Sequence, residues 1–147
     1  MSYTADSDVL SLIAERVIIQ LSADDPLAGV PDWAVVAEAR AYADAQVDAR
    51  LRQRYALPLA SVPRELKDWA LALARRWLYE RRPDQDIPAA VLDAAKEALA
   101  SLDAIRDGKI NLDIPDDGTG GETAGSLAVG APVRVYDATW LARYDLP

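Results

Sequence analysis

The sequence predicts an all-α protein, a bundle of about four helices carrying an extended C-terminal arm. Three observations lead there. Alanine fills 28 of 147 positions, a composition that favours helix. Apolar residues recur at three- and four-residue spacing from about residue 4 to residue 107, interrupted by proline- and glycine-marked breaks. Glycine is sparse before Gly108, with Gly29 the exception, and collects afterwards. A chain of this length suits one domain and can bury about two-thirds of its unfolded surface.

The first predicted helix covers residues 4–21. Thr4 or Asp6 is placed to cap it, and Val9, Leu10, Ile13 and Val17 supply the helical spacing, with a break possible near residues 14–16. Residues 22–31 read as a loop, marked by Asp24-Asp25-Pro26 and Gly29. The second helix begins at Pro31 or Asp32 and reaches about Arg54, because proline at the first helical position is pre-organised. Its inner stripe is Trp33, Val36, Ala43, Val47 and Leu51. Its outer face is Glu38, Ala41, Ala45, Asp48, Ala49 and Arg52, small enough to let another helix approach.

Residues 55–63 are expected to be extended, since Pro58 and Pro63 bias their predecessors away from helix. Ser61 then caps a third helix over residues 62–82. Leu66, Trp69, Ala70, Leu73 and Trp77 share one face, widened by Leu71, Ala74 and Leu78, so this helix should be central. Arg64, Asp68, Arg75 and Arg82 form its narrow polar stripe. After a break at Pro83, a fourth helix runs over residues 88–107. Val91, Leu92, Ala95, Leu99, Leu102 and Ile105 face inward, and Gly108 suits the left-handed residue that ends many helices. Residues 1–112 thus make a helical domain.

Residues 113–147 differ in character. A Gly/Asp/Thr-rich stretch leads to Val133-Arg134-Val135-Tyr136-Asp137, a possible short strand, and then to Trp140, Leu141 and Tyr144. Apolar groups beyond such a linker need a burial site. Val133, Val135, Tyr136, Trp140, Leu141 and Tyr144 are therefore the candidate partner-binding residues. The site is another chain or this domain itself.

The chemistry of catalysis is sparsely represented. The chain has no Cys and no His, which removes thiolate chemistry, disulfides and the commonest general base and metal ligand. The adjacent acids Asp24-Asp25 and Asp116-Asp117 fall in predicted loops, and no serine has a base set beside it by motif. Asp113, Asp116, Asp117 and Glu122 miss the calcium-loop spacing, and the glycines match no phosphate-binding fingerprint. No enzymatic activity, cofactor or metal is expected. No stretch is long and apolar enough to span a membrane, and the N-terminus lacks a secretion signal, so a cytoplasmic protein is expected.

Net charge is −8, unevenly spread. Residues 1–49 carry nine acids and two bases, residues 50–82 three acids and nine bases, residues 83–147 twelve acids and five bases. A basic middle between acidic ends suits contact with copies of the same chain or with differently charged partners. Cations at helix C-termini also complement the helix dipole, a local explanation for part of the pattern. Arg50, Arg52, Arg54, Arg64, Arg75 and Arg82 are the candidate intersubunit or channel-facing residues.

Several of these segments together resemble a known family. Arg52-Gln53-Arg54-Tyr55-Ala56-Leu57-Pro58-Leu59 is followed by Val62-Pro63, Leu66 and Ala70. Arg76-Trp77-Leu78-Tyr79-Glu80-Arg81-Arg82-Pro83 comes next, and Leu102, Ile105, Gly108, Lys109 and Leu112 follow later. With Tyr3 and Gln20-Leu21-Ser22, this pattern resembles the Mu-like prophage Gp36-type family over residues 3–113. Gln53 departs from it, where glycine is common.

The resemblance implies a head–tail connector or head-completion adaptor in the neck of a tailed-phage virion, assembled in the host cytoplasm. It implies a homo-oligomeric ring, typically of twelve copies, between the portal protein and a tail-completion or tail-terminator protein. DNA would pass through the channel without sequence-specific binding. A tail-completion or terminator ring subunit is the main alternative. A DNA-binding packaging or regulatory protein is a second, and the acidic ends and missing recognition-helix pattern count against it.

Overall fold

The computed structural model describes residues 2–25, 27, 29–82, 86–112 and 114. Five helices occur among them: α1 (Asp6–Leu12), α2 (Glu15–Ser22), α3 (Trp33–Leu51), α4 (Arg64–Glu80) and α5 (Ala89–Arg106). The strand suggested at residues 133–137, the acidic loop at 113–122 and the remainder of the arm lie outside the described residues.

The first predicted helix is two helices. Ile13 leaves the helical region at φ −123°, ψ 127°, and Ala14 follows at φ −57°, ψ 135°. At about 100° per residue an unbroken helix would set Val9 and Ile18 on opposite sides. The break turns both inward, and Val9, Ile13, Ile18 and Leu21 are all 4% exposed or less. Neither Thr4 nor Asp6 caps α1. Ala5 is the N-cap, and its N–H donates to Asp8 Oδ2 at 2.7 Å. Thr4 is itself buried.

α3 starts where Asp32 accepts hydrogen bonds from the N–H groups of Ala34 (3.0 Å) and Val35 (3.4 Å), satisfying two otherwise unpaired donors of the first turn. Val36, Ala39, Ala43, Val47 and Leu51 bury its inner stripe completely. Trp33, placed on that stripe by spacing alone, is 39% exposed at the helix start. Asp48, assigned to the outer face, turns toward the N-terminal segment.

α4 is the central element. It packs against α3 and α5, and also against α1 and α2. Its buried residues, Leu66, Ala70, Leu71, Leu73, Ala74 and Leu78, wrap a wide arc, as the sequence predicts. Ser61 does not cap it. Pro63 occupies the N-cap without a side-chain bond, and its fixed ring starts the helix instead.

α5 buries Val91, Ala95, Ala98, Leu102 and Ile105. α3, α4 and α5 each contribute two buried alanines. Such small side chains let helix backbones approach closely.

Gly108 ends α5 at φ +79°. The N–H of Lys109 reaches Ala104 O at 2.8 Å and that of Gly108 reaches Ile105 O at 3.0 Å, the paired bonds of a Schellman cap. A Cβ at Gly108 would collide with the Arg54 guanidinium. Gly108→Ala is therefore expected to cost about 1–2 kcal/mol from backbone strain alone, read by urea denaturation. Adding Arg54→Ala should relieve only the collision and leave the strain.

Candidate assembly surfaces

The polar side chains divide into those that lock the bundle and those left at its surface. Three locks stand out, and each joins distant parts of the sequence.

The first pins the N-terminal segment to α3. Arg40, Asp44 and Asp48 recur every four residues and so form one row. The Arg40 guanidinium donates to Thr4 O, to Thr4 Oγ1 at 3.3 Å and to Ser2 Oγ at 3.1 Å, and it pairs with Asp6. The N–H of Tyr3 donates to Asp44 Oδ1 at 3.2 Å, and its hydroxyl donates to Asp48. Tyr3 is only 2% exposed.

Burial pushes the Tyr3 phenol well above its ordinary value near 10, and its bond to Asp48 and the charges of Asp48 and Asp44 push the same way. Burial also raises the Asp44 carboxyl, an effect opposed by the hydrogen bond it accepts from Tyr3. The folded phenol thus loses its proton at higher pH than the unfolded one. Its contribution to stability is whole below about pH 10 and falls as pH climbs above that. Tyr3→Phe should lose stability less steeply above pH 10 than the wild type, by up to ~1.4 kcal/mol per pH unit. Parallel alkaline denaturation curves for the two chains would contradict this.

The second lock joins α4 to α2. Beyond the end of α4, Arg81 donates to Ser22 O (3.3 Å) and Asp24 Oδ1 (2.7 Å). Arg82 donates to Leu21 O (3.4 Å) and Ala23 O. Two guanidinium groups thereby satisfy carbonyls that α2 leaves unpaired at its C-terminus. Ser22, fully buried, accepts from the N–H of Asp32 at 3.0 Å and links this cap to the start of α3.

The third lock ties the segment after α3 to the segment after α5. The Tyr55 hydroxyl accepts from the N–H of Leu112 at 2.9 Å. Arg54 donates to Asn111 Oδ1 at 3.3 Å. Leu59 is buried, and Leu57 and Val62 are half-buried against the core.

The candidate arginines are thus placed differently. Arg50 pairs with Asp103 on α5 at 2.9 Å and with Gln46. Arg54 and Arg82 belong to the locks. Arg52 is exposed and reaches Asp48 O at 3.3 Å. Arg64 is 90% exposed, 3.8 Å from Asp68.

Arg75 stands apart. Arg64, Arg76, Arg81 and Arg82 each have a carboxylate within 4 Å, whereas the Nε of Arg75 is buried with no hydrogen-bond partner among the described residues. It borders a groove of about 230 Å³ between the end of α1, the middle of α4 and the first turns of α5. Leu12, Leu71, Ala72, Val91 and Ala94 line the groove, with Asp68 beside them. Leu12 is 46% exposed there.

A second open apolar surface runs along α3. Trp33 and Tyr42 are 39% and 43% exposed. Nine residues apart, they flank opposite edges of the outer face, where Ala34, Ala37, Ala41, Ala45 and Ala49 are exposed together with Glu38 and Arg52, and Val30 precedes the helix. The six partner-binding candidates from Val133 to Tyr144 lie outside the described residues.

Among the described residues no group of three or more acidic side chains is gathered to hold a metal ion. No described helix is long and apolar enough to cross a membrane.

What emerges is a small helical protein whose polar groups mostly fasten its own helices, with apolar surface left open on two sides. Residues 3–130 match the family model described as Bacteriophage Mu, Gp36. Gene product J of Escherichia phage Mu is 32% identical over 109 residues, which cover 74% of this chain and 74% of that protein. The chain belongs to the Mu Gp36 family of phage proteins. Several segments of the sequence pattern described above meet in the locks. Gln20-Leu21-Ser22 meets Arg81-Arg82, and Arg54-Tyr55 meets Gly108–Leu112.

Proposed function

We propose that this protein is a structural neck component of a tailed phage, a head–tail connector that forms a ring between portal and tail. The observation that most supports this reading is the open apolar surface along α3, on a chain of a phage family. Apolar patches of this kind mark contact sites on soluble proteins. The helical bodies pack side by side around an axis, with twelve copies as the expected ring. The exposed Arg52 and Arg64 are the candidates to face neighbouring acids or a DNA channel. The arm, through Val133, Val135, Tyr136, Trp140, Leu141 and Tyr144, docks on the portal or on the adjacent subunit. Tryptophan and tyrosine are the types that dominate binding hot spots. In this reading the protein performs no covalent chemistry and takes no cofactor or metal.

Deletion of residues 127–147 is expected to abolish capture of the portal protein in a pull-down. The far-UV circular dichroism of the helical body should persist, because the described core lies within residues 3–114. Portal capture by the truncated chain would reject docking of the arm on the portal and leave only the adjacent subunit. Capture of the tail tube instead of the portal would move the protein to the tail-terminator reading. A gel shift at low salt would favour a DNA-binding role.

A further inference from the structure

We propose that the groove beside Arg75 is the seat for the segment Trp140–Asp145 of a second copy of this chain. The proposal rests on the ring reading above and names the contact that would close the ring.

The groove has a distinct chemistry. Its walls are apolar, contributed by Leu71, Val91 and Ala94, and a guanidinium Nε–H is buried at its edge without an acceptor. Arg75 brings a positive charge to an otherwise apolar wall, and a carboxylate on the occupant would answer it. At about 230 Å³ the groove is smaller than typical ligand pockets. That size suits one or two anchoring side chains of a peptide.

The chain's own sequence contains a matching segment. Trp140 and Leu141 provide apolar anchors, and Arg143 and Asp145 provide one charge of each sign. The groove offers the complementary pair, Arg75 for a carboxylate and Asp68 for a guanidinium. Asp68 is 63% exposed and only 3.8 Å from the almost fully exposed Arg64, so it is free to exchange partners.

Reach allows a neighbour. Ile114 lies beyond the C-terminal end of α5, whereas the groove lies at its N-terminal end. The roughly 25 residues between Ile114 and Trp140 can span up to ~80 Å, against a small-domain diameter of about 30 Å. An arm and a groove on different parts of one chain make a head-to-tail contact. Such a contact repeats from copy to copy and closes into a ring when the rotation allows.

The absence of cysteine from the sequence provides a clean test. One full-length chain carries Ala94→Cys, and a second, mass-tagged, carries Tyr144→Cys. Mixed and mildly oxidised, they should yield a disulfide-linked pair containing one of each. Adding Arg75→Ala should lower that yield several-fold, with the helical circular dichroism unchanged. A chain carrying both cysteine substitutions should link to other copies. Closure of that chain on itself as a monomer, or no mixed pair either free or in virions, overturns the proposal. Electron micrographs of the protein on portal keep the two readings separate. Rings without the mixed pair sink only this contact, whereas no ring sinks the connector reading.

Discussion

Leu78→Ala is expected to lower the melting temperature by on the order of 10–20 °C. Leu78 is 1% exposed on α4, the helix that packs against all four others. Truncation removes its transfer energy and leaves a cavity the surrounding helices cannot fill, a loss of about 2–5 kcal/mol. Each kcal/mol shifts the midpoint by roughly 4 °C in a domain of this size, where the ranges for smaller and larger domains meet. Leu78→Met nearly conserves the volume and should lose less than about 1.5 kcal/mol. Thermal melts followed by circular dichroism compare the two. A Leu78→Ala midpoint within a couple of degrees of wild type would mean that α4 is not the buried centre.

Replacing Arg81 and Arg82 together by alanine should have the next largest effect, about 2–4 kcal/mol. The two side chains are each 25% exposed and serve three carbonyls at the end of α2. Without them those acceptors lose their partners while the buried Ser22 holds the turn in place. The loss should concentrate in α2, visible as faster amide exchange over residues 15–22. The Asp24 carboxylate is 73% exposed, so its share is small and screened by salt. The carbonyl contacts should make the effect largely insensitive to ionic strength. Arg82→Lys keeps the charge but loses the planar fork, and should recover only part of it. Uniform amide exchange across all five helices would contradict the cap.

Most of the helical architecture was readable from periodicity. The wide apolar arc of α4, the inner stripe of α3 and the glycine end of α5 are local patterns, and each is present. The locks were not readable, because their partners sit 34 to 61 residues apart and leave no local trace. Tyr3 looks like part of a loose terminus until Asp44 and Asp48 are seen to receive it. The recurrence of Arg40, Asp44 and Asp48 at four-residue intervals beside an apolar stripe was the one available hint. Ser61 misled because a good capping residue stood two positions before a proline that starts the helix unaided. The arginine cluster was legible as a cluster. Its division into caps, an Arg50–Asp103 pair and an Arg75 whose Nε has no partner among the described residues depends on tertiary geometry. The arm candidates have no described geometry against which to be placed.

The alanines buried in α3, α4 and α5 have a consequence for how such proteins diversify. Where a methyl group is all that separates one helix from the next, a larger side chain at Ala43, Ala70 or Ala95 has nowhere to go. Overpacking of this kind costs about 1–3 kcal/mol. The interior therefore has little latitude for drift, and change from one relative to another must be written on the outer rims, where alanine can change without disturbing the frame.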